Sequence, residues 1–183
     1  GNWYVAEEHG FIDSHKRFVS EAFAYDFLLI GEGGKSYVGS GSRNIDYLAY
    51  RQAVLAAKDG EVVYMRKDVP ENVPGRAMPA VPGGNAIVIK HSDDQYTYYA
   101  HLTPGGMRFG VGDKVVEGDV IGEVGNSGDS VEPHLHFHAM SGPDPGDSIG
   151  IPTLFERWIS NAYGRNALIR SYGVIPRGTF VQP

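Results

Sequence analysis

Pro133-His134-Leu135-His136-Phe137-His138 places three of the chain's seven histidines at strict alternate positions. On a strand, residues i, i+2 and i+4 face one way, so the imidazoles share one face and Leu135 and Phe137 share the other. Core packing accounts for the leucine and the phenylalanine. It does not account for three half-desolvated imidazoles in a row, whereas a metal site does, because neutral imidazole is the commonest ligand for zinc and similar ions. Neighbours on one strand face stand about 6.5–7 Å apart and the outer pair about 13 Å. One ion therefore engages His134 with His136, or His136 with His138, but not all three. At least one histidine has another task, and a tetrahedral site needs ligands from elsewhere in the chain.

The chain has 183 residues, 42% of them hydrophobic, which suits one domain with a proper core. Its 25 glycines and 11 prolines, with abundant Tyr, Val and Ile, predict a mainly β fold of short strands joined by turns. The absence of cysteine removes cysteine proteases, thiolate zinc sites and disulfide scaffolds, and it fits an oxidising envelope compartment. A net charge of −6 without a basic run leaves nucleic-acid binding no electrostatic footprint. The sequence has no apolar run long enough to predict a transmembrane segment, and the first ten residues do not have the form of a signal peptide, which fits a mature or trimmed chain.

Taken in order, residues 2–6 read as an opening strand, followed by a polar turn holding His9, Asp13 and His15. Residues 22–30 form an apolar run broken only by Asp26. A lone carboxylate there is costly to desolvate unless it is paired or meets a cation, so Asp26 is the second candidate; the plainer alternative is a carboxylate anchoring a turn or an arginine. The GEGGKS of residues 31–36 ends like a phosphate-binding loop, but Leu29 stands where that pattern needs glycine and loop follows it instead of helix. Residues 53–57 and 61–66 read as a hairpin turned at Asp59-Gly60, residues 67–84 as a long structureless loop of the kind that is usually functional or mobile, and 85–91 with 95–102 as a second hairpin. In the last of these, Thr97, Tyr99 and His101 share one face while Tyr96 and Tyr98 share the other. Apolar residues at 154, 155, 158, 159 and 162 predict a C-terminal helix over 152–163, with Pro152 in its first turn and Gly164 as its stop. Val174, Ile175, Phe180 and Val181 point to a last strand.

Tyr99-Ala100-His101-Leu102, Gly112-Asp113-Lys114-Val115, Gly118-Asp119-Val120-Ile121-Gly122, Gly125-Asn126-Ser127-Gly128 and Pro133-His134-Leu135-His136-Phe137 follow one another as in lysostaphin-type zinc metallopeptidases. The resemblance runs over residues 53–140, with a weaker extension to His15. It implies an antiparallel β-sheet groove holding one zinc ion, with a core over residues 15–140 of a single domain. It implies His15, Asp26 and His136 as metal ligands, and His101 and His134 as the catalytic pair acting on substrate. That family's compact early element is His-x-x-x-Asp, whereas ten residues lie between His15 and Asp26, as in a longer variant with the aspartate on an aromatic strand. His9 and Asp46 are the alternatives for the early ligands, and His138 falls to a supporting role.

Two histidines and one carboxylate leave a fourth zinc position for water, the mark of a catalytic site. Zinc brings the pKa of that water down to about 7. The expected function is a zinc endopeptidase of the cell envelope, periplasmic or extracellular, cutting peptidoglycan stem peptides or cross-bridges. The alternative is a non-catalytic envelope module that binds wall or a partner hydrolase; such modules typically lose ligands, and this chain keeps a full candidate set. A cupin metal site would need a glutamate where Met140 stands.

Overall fold

A computed structural model of the protein describes residues 3–7, 18–162, 165–177 and 179–182. The first strands are β1 (Trp3–Glu7), β2 (Tyr25–Leu29), β3 (Ala53–Leu55), β4 (Gly60–Arg66), β5 (Asn85–Ser92) and β6 (Gln95–Leu102). They are followed by β7 (Lys114–Val115), β8 (Val120–Glu123), β9 (Leu135–Met140), β10 (Gly150–Ile151), β11 (Phe155–Ala162), β12 (Arg165–Gly173) and β13 (Phe180–Gln182). Among the described residues one antiparallel sheet runs β12-β11-β13-β1-β2-β9-β6-β5-β4-β7, with β10 on β9, and β3 pairs with β8 in a small second sheet. The fold is therefore mainly β, and the helical turns among the described residues are single 3-10 turns.

The sheet separates two apolar layers. Ala86-Ile87-Val88-Ile89 of β5 is buried on both faces, as a central strand must be. Ile87 and Ile89 enter a large layer with Val5, Tyr25, Tyr99 and Phe137, whereas Ala86 and Val88 join Tyr96, Tyr98, Ala100 and Met140 in a smaller one. The histidine strand β9 sits between β2 and β6 at the middle of this arrangement.

Two sequence expectations are corrected. Residues 53–57 do not form a hairpin with β4: β3 pairs with β8, and β4 pairs with β5 and β7. The Asp59-Gly60 segment is instead a crossing between the two sheets, where the Asp59 side chain accepts from Glu117 N at 2.8 Å. The C-terminal helix is absent as well; residues 155–162 are strand β11, paired with β12 and β13. A register shift between Phe155 and Arg157 explains the misleading period, because it lets Phe155 and Trp158, three apart, both pack on the large layer.

At the β5–β6 turn, His91 Nδ1 donates to the Asp59 carbonyl at 2.7 Å and Nε2 lies 2.8 Å from Thr97 Oγ1, which in turn lies 3.2 Å from the buried Tyr99 hydroxyl. Burial holds the His91 pKa below its ordinary value, opposed by the Asp59 carbonyl. Protonation thus opposes the folded state: His91 contributes its full stability above the unfolded pKa near 6.5, and that contribution falls as the pH drops below it. The melting temperature is expected to fall between about pH 7 and pH 5, and the fall to be shallower in His91→Asn, which keeps a donor near Asp59 but cannot protonate. Melting curves at a series of pH values check this; parallel profiles for the two proteins would refute it.

Candidate metal centre

Register places Asp26 of β2 opposite His136 of β9, and His136 opposite Ala100 of β6. Tyr25 and Phe27, on either side of Asp26, pack on the large apolar layer, so alternation turns the carboxylate to the other face, toward His136. Asp26 Oδ1 lies 2.9 Å from His136 Nδ1 and 3.7 Å from His134 Nε2. Two atoms bound to one tetrahedral zinc at 2.0–2.1 Å stand about 3.3 Å apart, so the Asp26–His136 pair is at ligand spacing. The other nitrogen of His136, Nε2, is 3.0 Å from Nδ1 of the fully buried His138. With Nδ1 turned toward a cation, His136 Nε2–H donates to His138, the kind of outer contact that fixes a metal-bound imidazole.

His101 reaches this face by a departure from strand geometry. The β5–β6 register slips between Asn85 and Ile87, so Ala100 and His101 together oppose the single residue Ala86, and His101 has φ 61°. Regular alternation would aim it with Tyr99 into the large apolar layer, the face expected from sequence. The bulge instead swings the ring to 4.7 Å from that of His134 and 5.7 Å from that of His136, centroid to centroid. A non-glycine residue in this left-handed region costs on the order of 1–3 kcal/mol and is held only where its surroundings fix it. Here His101 N donates to Gly83 O and Gly125 N donates to His101 O, both at 3.0 Å.

One loop orients both imidazoles. His101 Nδ1–H donates to Ser127 O at 2.8 Å, and His134 Nδ1–H donates to Glu132 O at 2.8 Å with Ser130 Oγ at 3.2 Å. Each ring in its neutral state therefore keeps its lone pair on Nε2. Desolvation holds the His101 pKa well below the ordinary histidine value; His134 and His136 push it further down, and Asp26 and the Ser127 carbonyl oppose them. The loop is itself fixed by buried contacts. Asn72 Nδ2 donates to Gly128 O and Ser130 O at 2.8 and 2.9 Å, and Asn85 N donates to Ser127 Oγ at 2.9 Å. At Gly128 (φ 80°) an added Cβ would lie 2.3 Å from Gly84 N, so glycine permits both the turn and the backbone contact.

Asp26, His101, His134 and His136 are thus brought together. His15 and its alternative His9 lie outside the described residues. Asp46, the alternative carboxylate, is engaged elsewhere: Arg43 Nη2 meets its Oδ1 at 2.9 Å, and this guanidinium holds the Asp46 pKa below the usual range. Among the described residues no three such groups are arranged to hold an ion. The two described donors nonetheless fit one in spacing and chemistry. Sequence reading missed the carbonyls of Ser127 and Glu132 and the hydroxyl of Ser130; of these only Ser130 carries a side-chain signal.

One sheet face thus carries a carboxylate–histidine pair beside two imidazoles oriented by main-chain carbonyls. The chain belongs to Peptidase family M23, matched over residues 41–148. It is 34% identical over 109 residues to the cell division protein DipM of Caulobacter vibrioides, covering 57% of this chain. It is 40% identical over 72 residues to the DD-carboxypeptidase/endopeptidase Mpg of Neisseria meningitidis, covering 38% of this chain. Each match spans 16% of the relative's length. The crystal structure of the catalytic domain of the prophage-encoded M23 protein EnpA from Enterococcus faecalis shares the fold, with a TM-score of 0.52 and 18% identity over 81% of this chain and 87% of that one.

Proposed function

We propose that the chain is a zinc-dependent endopeptidase of the cell envelope that hydrolyses peptidoglycan stem peptides or cross-bridges. The observation that carries this reading is the convergence of Asp26 and His136, at ligand spacing, with two imidazoles whose Nδ1 atoms are both tied to main-chain carbonyls. Asp26 and His136, with His15, would hold the ion. Bound zinc supplies a Lewis acid that polarises a peptide carbonyl and acidifies water. The imidazoles handle the protons. As water oxygen bonds to the carbonyl carbon, Nε2 of His101 or His134 accepts a water proton and returns it to the amide nitrogen as the C–N bond breaks. The other of the two imidazoles, when it carries a proton on Nε2 as well, would present that N–H to the developing oxyanion. His138 holds the orientation of His136. Mpg is a DD-carboxypeptidase/endopeptidase, which supports a peptidoglycan peptide as substrate class.

The protein as purified is expected to hold about one zinc per chain and to release new amino groups from purified peptidoglycan. A strong chelator should abolish release and added zinc restore it. Activity in metal-free protein would overturn the metal reading. Zinc-loaded protein that sediments with peptidoglycan but cuts nothing would move the function to a binding module.

A further inference from the structure

A cavity of about 500 Å³ opens beside the histidine cluster, and none of the cluster's own side chains lines it. Two of its residues join it to the site. The Tyr98 ring lies 5.0 Å from that of His138, and Gly83 accepts the His101 N–H at 3.0 Å. Tyr98 is only 7% exposed, yet among the described residues its hydroxyl makes no hydrogen bond. A Cβ built on Gly83 would stand 1.7 Å from that hydroxyl oxygen, so the phenol occupies the space a side chain at 83 would take. Burial pushes the phenol's pKa far up, with the charge of Arg66 acting in the opposite sense, so the group remains a donor at any physiological pH. Arg66 lines the same cavity, is exposed, and forms no ion pair among the described residues.

We propose that this cavity is a substrate subsite for a carboxylate-bearing residue of the peptide, held by the Arg66 guanidinium and the Tyr98 hydroxyl; this rests on the peptidase reading above. The guanidinium can only donate and the phenol has a hydrogen to donate, so a carboxylate, which only accepts, satisfies both, whereas an amide brings N–H groups that Arg66 cannot accept. The guanidinium fork matches a carboxylate in shape as well as charge. Glu21 and Asp144 stand on the remaining walls. A carboxylate is therefore expected on the Arg66 side of the cavity, away from Asp144.

Binding, read separately from turnover, tests this. The full chain is titrated calorimetrically with two blocked tripeptides, Ala-Glu-Ala and Ala-Gln-Ala. The glutamate peptide is expected to bind about tenfold or more tightly, since a charge-assisted hydrogen bond is worth roughly a factor of ten or above. Arg66→Gln should erase that preference, and Tyr98→Phe should weaken the glutamate peptide severalfold while leaving the glutamine peptide unchanged. Asp144→Asn should keep or enlarge the preference. Equal affinities in the wild type, or a preference that survives Arg66→Gln, would overturn the proposal. Failure of the peptidase reading would look different: the preference intact, with no turnover of peptidoglycan.

Discussion

Replacing His134 with alanine, or His101 with asparagine, is expected to lower turnover by about 10²–10⁴-fold while the metal stays bound. The size follows from the role. Both rings are held by main-chain carbonyls on Nδ1, so their remaining function lies at Nε2, where proton transfer in the transition state is decided. Asparagine is the sharper substitution at 101, because that residue has φ 61° and asparagine tolerates the left-handed region far better than alanine. Loss of activity in His101→Asn then reports the imidazole and not a collapsed bulge. Paired measurements of kcat and zinc content decide the matter. If His134→Ala sheds zinc as completely as His136→Ala, then β9 supplies two ligands and the division of labour between the histidines is wrong.

The placement of these side chains was partly legible in the sequence, for identifiable reasons. Period-2 alternation in residues 134–138 is a local property, so the shared imidazole face could be read directly; likewise a carboxylate alone in an apolar run marks Asp26 without any knowledge of its partner. What escaped reading depends on pairs of strands. The orientation of His101 comes from a slip between β5 and β6 that leaves two residues opposite Ala86, and no glycine at 101 announces it. The partner of β3 is β8, some 65 residues on, whereas the Asp-Gly signal favoured the nearest strand. Residues 154–162 misled because a register shift in a strand can imitate a helical period. Bulges of this kind are invisible to periodicity and are also what re-aims side chains at sites. In this chain one bulge hid a strand and the other hid the face of a candidate catalytic residue.

Asp26→Asn is expected to weaken metal binding severely, and His136→Ala to abolish it. Asparagine preserves the shape of Asp26 and one oxygen, so the substitution isolates charge. In this setting charge matters more than shape, because the carboxylate stands 2.9 Å from His136 and its side chain is only 17% exposed. An ionised group there needs a cation to offset its desolvation, and a divalent ion gains most from it. Loss of an outer contact costs about 10–100-fold in metal affinity, which sets the expectation for His138→Ala; removal of a ligand itself should exceed that range. Asp46→Asn is the matched control. Its carboxylate is committed to Arg43, so metal content should be unchanged, and the cost should appear in the stability of the loop at residues 43–46. Zinc content after dialysis against a weak chelator distinguishes the cases. Wild-type zinc in Asp26→Asn would remove the carboxylate from the ligand set, and zinc loss confined to Asp46→Asn would transfer that role to Asp46.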